Sequence, residues 1–207
     1  FSKSGIFILM KVIGVIPARG GSKKTSNKNI KNFCGKPLIA WAILSALKSR
    51  KLDRVLVSTD SLEIAKVAKR YGAEVPFLRP RELATDTMGL EPVMKHAYEW
   101  LKANDSYKAD ALTIIYATNP LRQPFHIDEA IKIMEKTSCD SVVSVNETPA
   151  NHTPFWTLIK TKSQGVRLFG DIDLKRIFNR RQDFPHACYA RKFLVFYLKT
   201  VGWPSGL

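Results

Sequence analysis

The run KVIGVIPA at residues 11–18 is the strongest constraint on what this chain can become. Val12, Ile13, Val15 and Ile16 are β-branched, and no polar position separates them, so the segment reads as a buried strand. Beyond Ala18 the pattern alternates. PLIAWAILSALKS (37–49) reads as a helix opened by proline, RVLVS (54–58) as a second strand, and Ser61 as the cap of a helix carrying Leu62, Ala65 and Ala68 in line. A short third strand is expected at 75–78, a helix at 91–103, a central strand at 111–117 (ALTIIYA), a helix at 125–136 and a strand at 141–145 (SVVSV). Strands alternating with helices of this length predict an α/β fold with a doubly wound, mostly parallel sheet covered on both faces.

From about Glu147 the periodicity fades. ETPANHTPFWTLIKTKSQGVRLFG (147–170) reads as part of an extended excursion with a hairpin, spanning 147–178. Two readings stay open for it, a subunit (dimerisation) interface and a core extension folded back on the domain. Residues 10–207 are read as one domain, Met10 as the natural start, and residues 1–9 as upstream sequence.

The formal net charge is +15. Such a field attracts polyanions, whether nucleic acid, acidic membrane or phosphorylated small molecules. Two clusters carry much of it, one between Arg19 and Lys31 and one between Lys175 and Lys192. No nucleic-acid motif accompanies them, and Phe178, Phe184 and Tyr189 in the second cluster read as core, so nucleic acid is an unfavoured partner. No apolar run reaches the ~18–20 residues of a membrane span, and no membrane partner is expected. The three cysteines lie far apart without a CxxC, which points away from disulfides and zinc and toward a reducing cytoplasm. The four histidines form no metal-binding spacing.

The first strand runs into a dense basic loop, RGGSKKTSNKN at 19–29. In a parallel α/β sheet, ligands sit beyond the carboxyl ends of the strands, so this loop stands in ligand position. Gly20 and Gly21 permit tight turns that expose backbone N–H groups to an anion. Arg19 can fork onto phosphate oxygens, Lys23 and Lys28 supply point charges, and Ser22 and Asn29 add polar donors. The set suits a triphosphate, although the loop fits neither GxxxxGK[ST] nor GxGxxG.

IPARGGSKKTSNKNIKNFCGKPLIAW (16–41) closely resembles the opening of the acylneuraminate cytidylyltransferase family, the CMP–nonulosonic acid synthetases. VLVSTDSLEIAKVAKRYGAEVPFLRPRELATDT (55–87), YATNPLRQPFHIDEAI (116–131), DSVVSVNETPANHTPFW (140–156) and NRRQDFP (179–185) agree with it in order. Kdo cytidylyltransferases share only the IPAR start of this loop. The resemblance implies a nucleotide-diphospho-sugar transferase-like, Rossmann-like fold and transfer of CMP from CTP to the anomeric hydroxyl of a nine-carbon sugar acid. It implies Mg²⁺ as cofactor and a homodimer. It also implies that Arg19, Gly20, Gly21, Ser22 and Lys23 surround the phosphates with Lys28 nearby, Arg19 and Lys28 being the catalytic cations. Asn29 and Arg79 would contact the nucleotide, Arg79 reading cytosine. Thr85, Asp86 and Thr87 would lie against base and ribose, Tyr116 would stand at the substrate-side strand end, and Arg181 would face the sugar carboxylate. Asp60, in STD, reads equally as a helix cap or as part of the site.

Departures from the family accompany the match. Tyr116 stands where sialic acid members carry glutamine, so the sugar stays open among sialic, legionaminic and pseudaminic acids. After Pro185 the family's Asn-Gly-Ala strand and metal-binding segment are missing from HACYARKFLVFYLKTVGWPSGL, in which RKFLVFYLKT still reads as a strand. The metal ligands are therefore unassigned. Asp171 and Asp173 are read as a turn or as charge partners of Arg176–Arg181 rather than as a metal site. A nucleotide-binding relative without turnover is thus the alternative to an active synthetase.

Overall fold

The computed structural model describes residues 10–21 and 27–148, and the backbone of three further strands at 158–160, 166–168 and 188–197. By its internal packing the chain divides into two units, Phe1–Val143 with Lys192–Leu207, and Ser144–Arg191.

The first unit is built on β1 (Val12–Pro17), which pairs in parallel with β4 (Arg54–Ser58) on one side and β5 (Ala111–Ile115) on the other. Between β1 and β4 lie a hairpin, β2 (Asn32–Phe33) and β3 (Lys36–Pro37), and helix α1 (Leu38–Leu47). Helices α2 (Leu62–Arg70) and α3 (Leu90–Asn104) connect β4 to β5; α4 (Pro124–Thr137) precedes β6 (Ser141–Glu147). Strand β9 (Cys188–Tyr197) pairs antiparallel to β5, and the sheet order is β4-β1-β5-β9-β6.

Side chains alternate across β1, and this divides the core. Val12 and Ile16 join Ile39 and Ile43 of α1, Ile64 of α2 and Ile127 and Ile131 of α4 on one face. Ile13 and Val15 join Leu112 and the α3 residues Met94, Ala97 and Leu101 on the other. The sheet is therefore covered on both sides, as the unbroken apolar run required. Gly14 lies at a close approach, since a Cβ there would stand 2.9 Å from Leu52 Cδ1 and 3.0 Å from Ile115 Cδ1.

The expected strand at 75–78 does not form. Glu74 alone makes a parallel bridge to Leu56, donating its N–H to the Val55 carbonyl at 2.9 Å and accepting from Val57 at 2.8 Å. Pro76 has no N–H to continue the ladder, and pairing stops before it. The β2–β3 hairpin, conversely, has no counterpart among the elements expected from the sequence. Its turn is Cys34-Gly35, both with positive φ (49° and 83°), the backbone that a two-residue hairpin turn requires.

Of the second unit, β7 (Leu158–Lys160) and β8 (Val166–Leu168) form an antiparallel pair, Ile159 opposite Arg167.

Candidate nucleotide cleft

At the carboxyl ends of β1 and β5 the chain leaves a cleft of about 470 Å³. Arg19, Lys28, Asn29, Arg79, Thr85, Asp86 and Tyr116 line it, seven positions that the sequence nominated. Three cations there face a single carboxylate, which suits a polyanionic ligand. Gly20 and Gly21 continue the chain from Arg19, and Thr87 follows Asp86 without lining the cleft. Ser22, Lys23 and Arg181 lie outside the described residues, as do Asp171 and Asp173.

The basic loop leaves β1 and returns in a short 3₁₀ turn, Lys28–Ile30. Asn27 opens that turn in the left-handed region (φ 50°) and its carbonyl accepts the Ile30 N–H at 3.0 Å. Asn29 is buried, and its side-chain N–H donates to the Arg19 carbonyl at 3.0 Å. Two ends of the loop are thus tied together, and Arg19 and Lys28 reach the same cleft.

Arg79 comes from the stretch after the lone bridge at Glu74. It is 6% exposed. Its Nε donates to Ser58 Oγ at 3.1 Å, its Nη2 donates to the Ser58 carbonyl, and its backbone N–H donates to the Thr59 carbonyl at 2.7 Å. The side chain is held as a fork against the end of β4. Burial pushes its pKa down to about 10; attraction to Asp60 opposes this and repulsion from Arg19 adds to it. The guanidinium stays charged at neutral pH.

Arg19 forms an ion pair with Asp86, both about one-third exposed. The carboxylate of the ATDT segment therefore sits where an anionic ligand group would meet Arg19. Tyr116 ends the β5 side of the cleft; burial raises its phenol pKa, with the nearby Arg122 opposing, so it is a neutral hydrogen-bonding group.

Sequence reasoning missed the apolar wall. Leu83, Met88, Leu90 and Val93 line one side, Pro17, Ala117 and Thr118 the strand ends. Part of the signal was present in ELATDTMGL, where apolar residues flank ATDT, but Leu83 comes from a short 3₁₀ turn, Met88 from the stretch after it and Leu90 and Val93 from the first turn of α3, and no single period spans the three. Apolar lining of this kind suits a nucleobase. Asp60 is not the cap of α2: Ser61 Oγ accepts the Ile64 N–H at 3.4 Å, whereas Asp60 Oδ1 accepts the Gly20 N–H at 2.9 Å. Of the histidines, His126 closes a capping box at α4, its Nδ1 accepting the Gln123 N–H at 3.1 Å. No group of three or more His, Cys, Asp or Glu side chains able to hold a metal occurs among the described residues. No helix among them is long and apolar enough to cross a membrane.

Known proteins are similar to this chain in sequence and in architecture. A family model described as cytidylyltransferase matches residues 13–203, running past Pro185 and through β9. CMP-N,N'-diacetyllegionaminic acid synthase of Legionella pneumophila is 39% identical over 170 residues, 80% of this chain and 71% of that protein. N-acylneuraminate cytidylyltransferase of Escherichia coli is 42% identical over 190 residues, 90% of this chain but 40% of that longer protein. Pseudaminic acid cytidylyltransferase of Campylobacter jejuni is 44% identical over 112 residues, 54% of this chain and 48% of that protein. In architecture, a solved CMP:2-keto-3-deoxy-manno-octonic acid synthetase complexed with CTP superposes with a TM-score of 0.65 at 16% identity, covering 90% of this chain and 74% of that one. At that identity the likeness speaks to the fold, a Rossmann-like α/β sheet. The sequence match over most of its length places the chain in the cytidylyltransferase family.

Proposed function

We propose that the chain transfers CMP from CTP to the anomeric hydroxyl of a nine-carbon 2-keto sugar acid. The observation that carries this reading is the convergence of Arg19, Lys28, Asn29 and Arg79 on one cleft at the strand ends, facing an apolar wall. Cations suit the triphosphate and the wall suits a base. The names of the relatives supply the acceptor class, and they differ in the acid: legionaminic, neuraminic and pseudaminic.

In the proposed reaction the sugar's anomeric oxygen bonds to the α-phosphorus, the α–β phosphoanhydride bond breaks, and pyrophosphate leaves with the charge that forms on it. The hydroxyl proton goes to solvent. No covalent enzyme intermediate is needed, so catalysis consists of alignment and charge stabilisation. Arg19 and Lys28 would take up the charge developing on pyrophosphate, with Gly20, Gly21, Ser22 and Lys23 completing the phosphate shell. Asn29 orders the loop and adjoins the nucleotide. Arg79 would present donors to cytosine O2 and N3, with Thr85, Asp86 and Thr87 beside base and ribose. Tyr116 would meet the sugar, and Arg181 its carboxylate. Magnesium would neutralise phosphate charge when bound. The described cleft holds one carboxylate, already paired with Arg19, and does not by itself make a protein site for that ion. A homodimer built through residues 147–178 and a cytoplasmic setting belong to the same reading; the first rests on the resemblance and the second on the widely spaced cysteines.

The test is pyrophosphate release from CTP and Mg²⁺ with a panel of nonulosonic acids. Release with one of them is expected. A folded, CTP-binding protein that releases none with any acid would contradict transfer and favour a relative that only binds nucleotide.

A further inference from the structure

The end of β4 ties together the separate segments that supply the cleft's cations. Ser58 accepts Ala18 N–H at its carbonyl (2.9 Å) and Arg79 at both its carbonyl and its hydroxyl. Thr59 accepts the Arg79 N–H at its carbonyl, and its Oγ1 accepts the Ser61 N–H at 3.1 Å. Asp60 is half-buried and does not line the cleft. Its carboxylate reaches forty residues back to accept the Gly20 N–H at 2.9 Å. Gly20 in turn lies flat on this turn, since a Cβ there would stand 3.0 Å from Ser61 Cβ and 3.8 Å from Asp60 Oδ2.

We propose that Asp60 is a positioning residue for the nucleotide, an inference that rests on the cleft being the CTP site. Its hydrogen bond to Gly20 fixes the turn that aims Arg19. Its charge offsets the repulsion between the neighbouring guanidiniums of Arg19 and Arg79. It touches neither phosphate nor base. The electrostatics agree: Asp60 favours the charged form of Arg79 while Arg19 disfavours it. A helix cap would need none of this, and that duty belongs to Ser61.

Three variants separate the roles. Asp60→Asn keeps an acceptor for Gly20 and loses the charge. Asp60→Ala loses both. Ser61→Ala removes the adjacent helix cap and leaves the Gly20 contact in place. Calorimetric CTP titration, a thermal melt and steady-state kinetics are run on each beside the unsubstituted protein. The expected order is a CTP Kd raised about threefold to tenfold in Asp60→Asn, which keeps a neutral contact to Gly20, and about thirtyfold in Asp60→Ala, which loses the charge and that contact together. KM for CTP rises with it, and KM for the sugar acid does not. Ser61→Ala melts earlier but binds CTP as before. Should Asp60→Ala fail to fold, the near-isosteric Asp60→Asn carries the test alone. Unchanged CTP affinity in folded Asp60 variants would overturn the inference, as would an equal loss in Ser61→Ala. If the unsubstituted protein itself binds no CTP, the nucleotide reading falls, and the role of Asp60 falls with it.

Discussion

Replacing Arg79 with lysine keeps a cation but removes the fork. Arg79 is 6% exposed, and its guanidinium makes two hydrogen bonds, to Ser58 Oγ and to the Ser58 carbonyl. An ammonium on an unforked stem can hold at most one of them in the same space. A hydrogen bond with a charged partner contributes about 1.5–3 kcal/mol, so the loss of one costs about 2 kcal/mol. For a chain of this size that lowers Tm by about 4–8 °C. Function should suffer more. The burial that pushes arginine down to about 10 also disfavours a charged ammonium, whose ordinary pKa of about 10.4 starts lower. Lysine also lacks the paired donors that would meet cytosine O2 and N3. CTP binding is expected to weaken by at least about tenfold, read by calorimetry, with a melt on the same preparation. An Arg79→Lys protein that melts within about 1 °C of the unsubstituted one and binds CTP equally would refute both the clamp and the base contact.

Asp86→Asn frees Arg19 from its ion pair; because both groups are about one-third exposed, the pair is worth at most about 1 kcal/mol, and CTP affinity should rise by no more than about fivefold. Weaker binding in a titration would mean that what Asp86 gives to base and ribose outweighs the release of Arg19. Gly20→Ala forces a Cβ to 3.0 Å from Ser61 Cβ; the protein should fold, lose about 1 kcal/mol of stability in urea, and bind CTP more weakly. His96 packs edge-on to Phe77 at 4.6 Å, and burial, then the charge of Arg79, lower its pKa, with Glu82 opposing. The unfolded chain therefore takes up a proton first as pH falls, so the His96 contribution is complete above about pH 6.5 and is lost below it. Melts between about pH 7 and about pH 5 should show a smaller drop for His96→Gln than for the unsubstituted protein; an equal drop would deny His96 that role.

The strands and helices around β1 were legible because burial on both faces leaves an unbroken apolar run, and helix faces leave a period. The turn at Cys34-Gly35 was not, since a Cys-Gly pair is a weak turn signal and positive φ at Cys34 is a tertiary outcome. The strand at 75–78 failed for a reason present in the sequence, the missing N–H of Pro76. In the cleft, the basic loop announced itself through position and charge. The contacts that hold it did not. Asp60 meets Gly20 across forty residues and Arg79 meets Ser58 across twenty-one, and no local pattern encodes such pairs. Asp60 as a cap was set aside by where its carboxylate goes: it accepts from Gly20, while Ser61 makes the cap. The antiparallel place of β9 beside β5 is likewise a long-range pairing, with Leu112 opposite Phe196.

The most direct measurement is a calorimetric titration of CTP, with ATP, GTP and UTP in parallel and Mg²⁺ present, on protein shown by its melt to be folded. Selective binding of CTP is the predicted result, with the three other nucleotides at least about tenfold weaker, as loss of a paired base contact requires. Equal binding of all four, or none of CTP by folded protein, would contradict the assignment of this cleft to a cytidine nucleotide and the roles of Arg19, Lys28 and Arg79 with it.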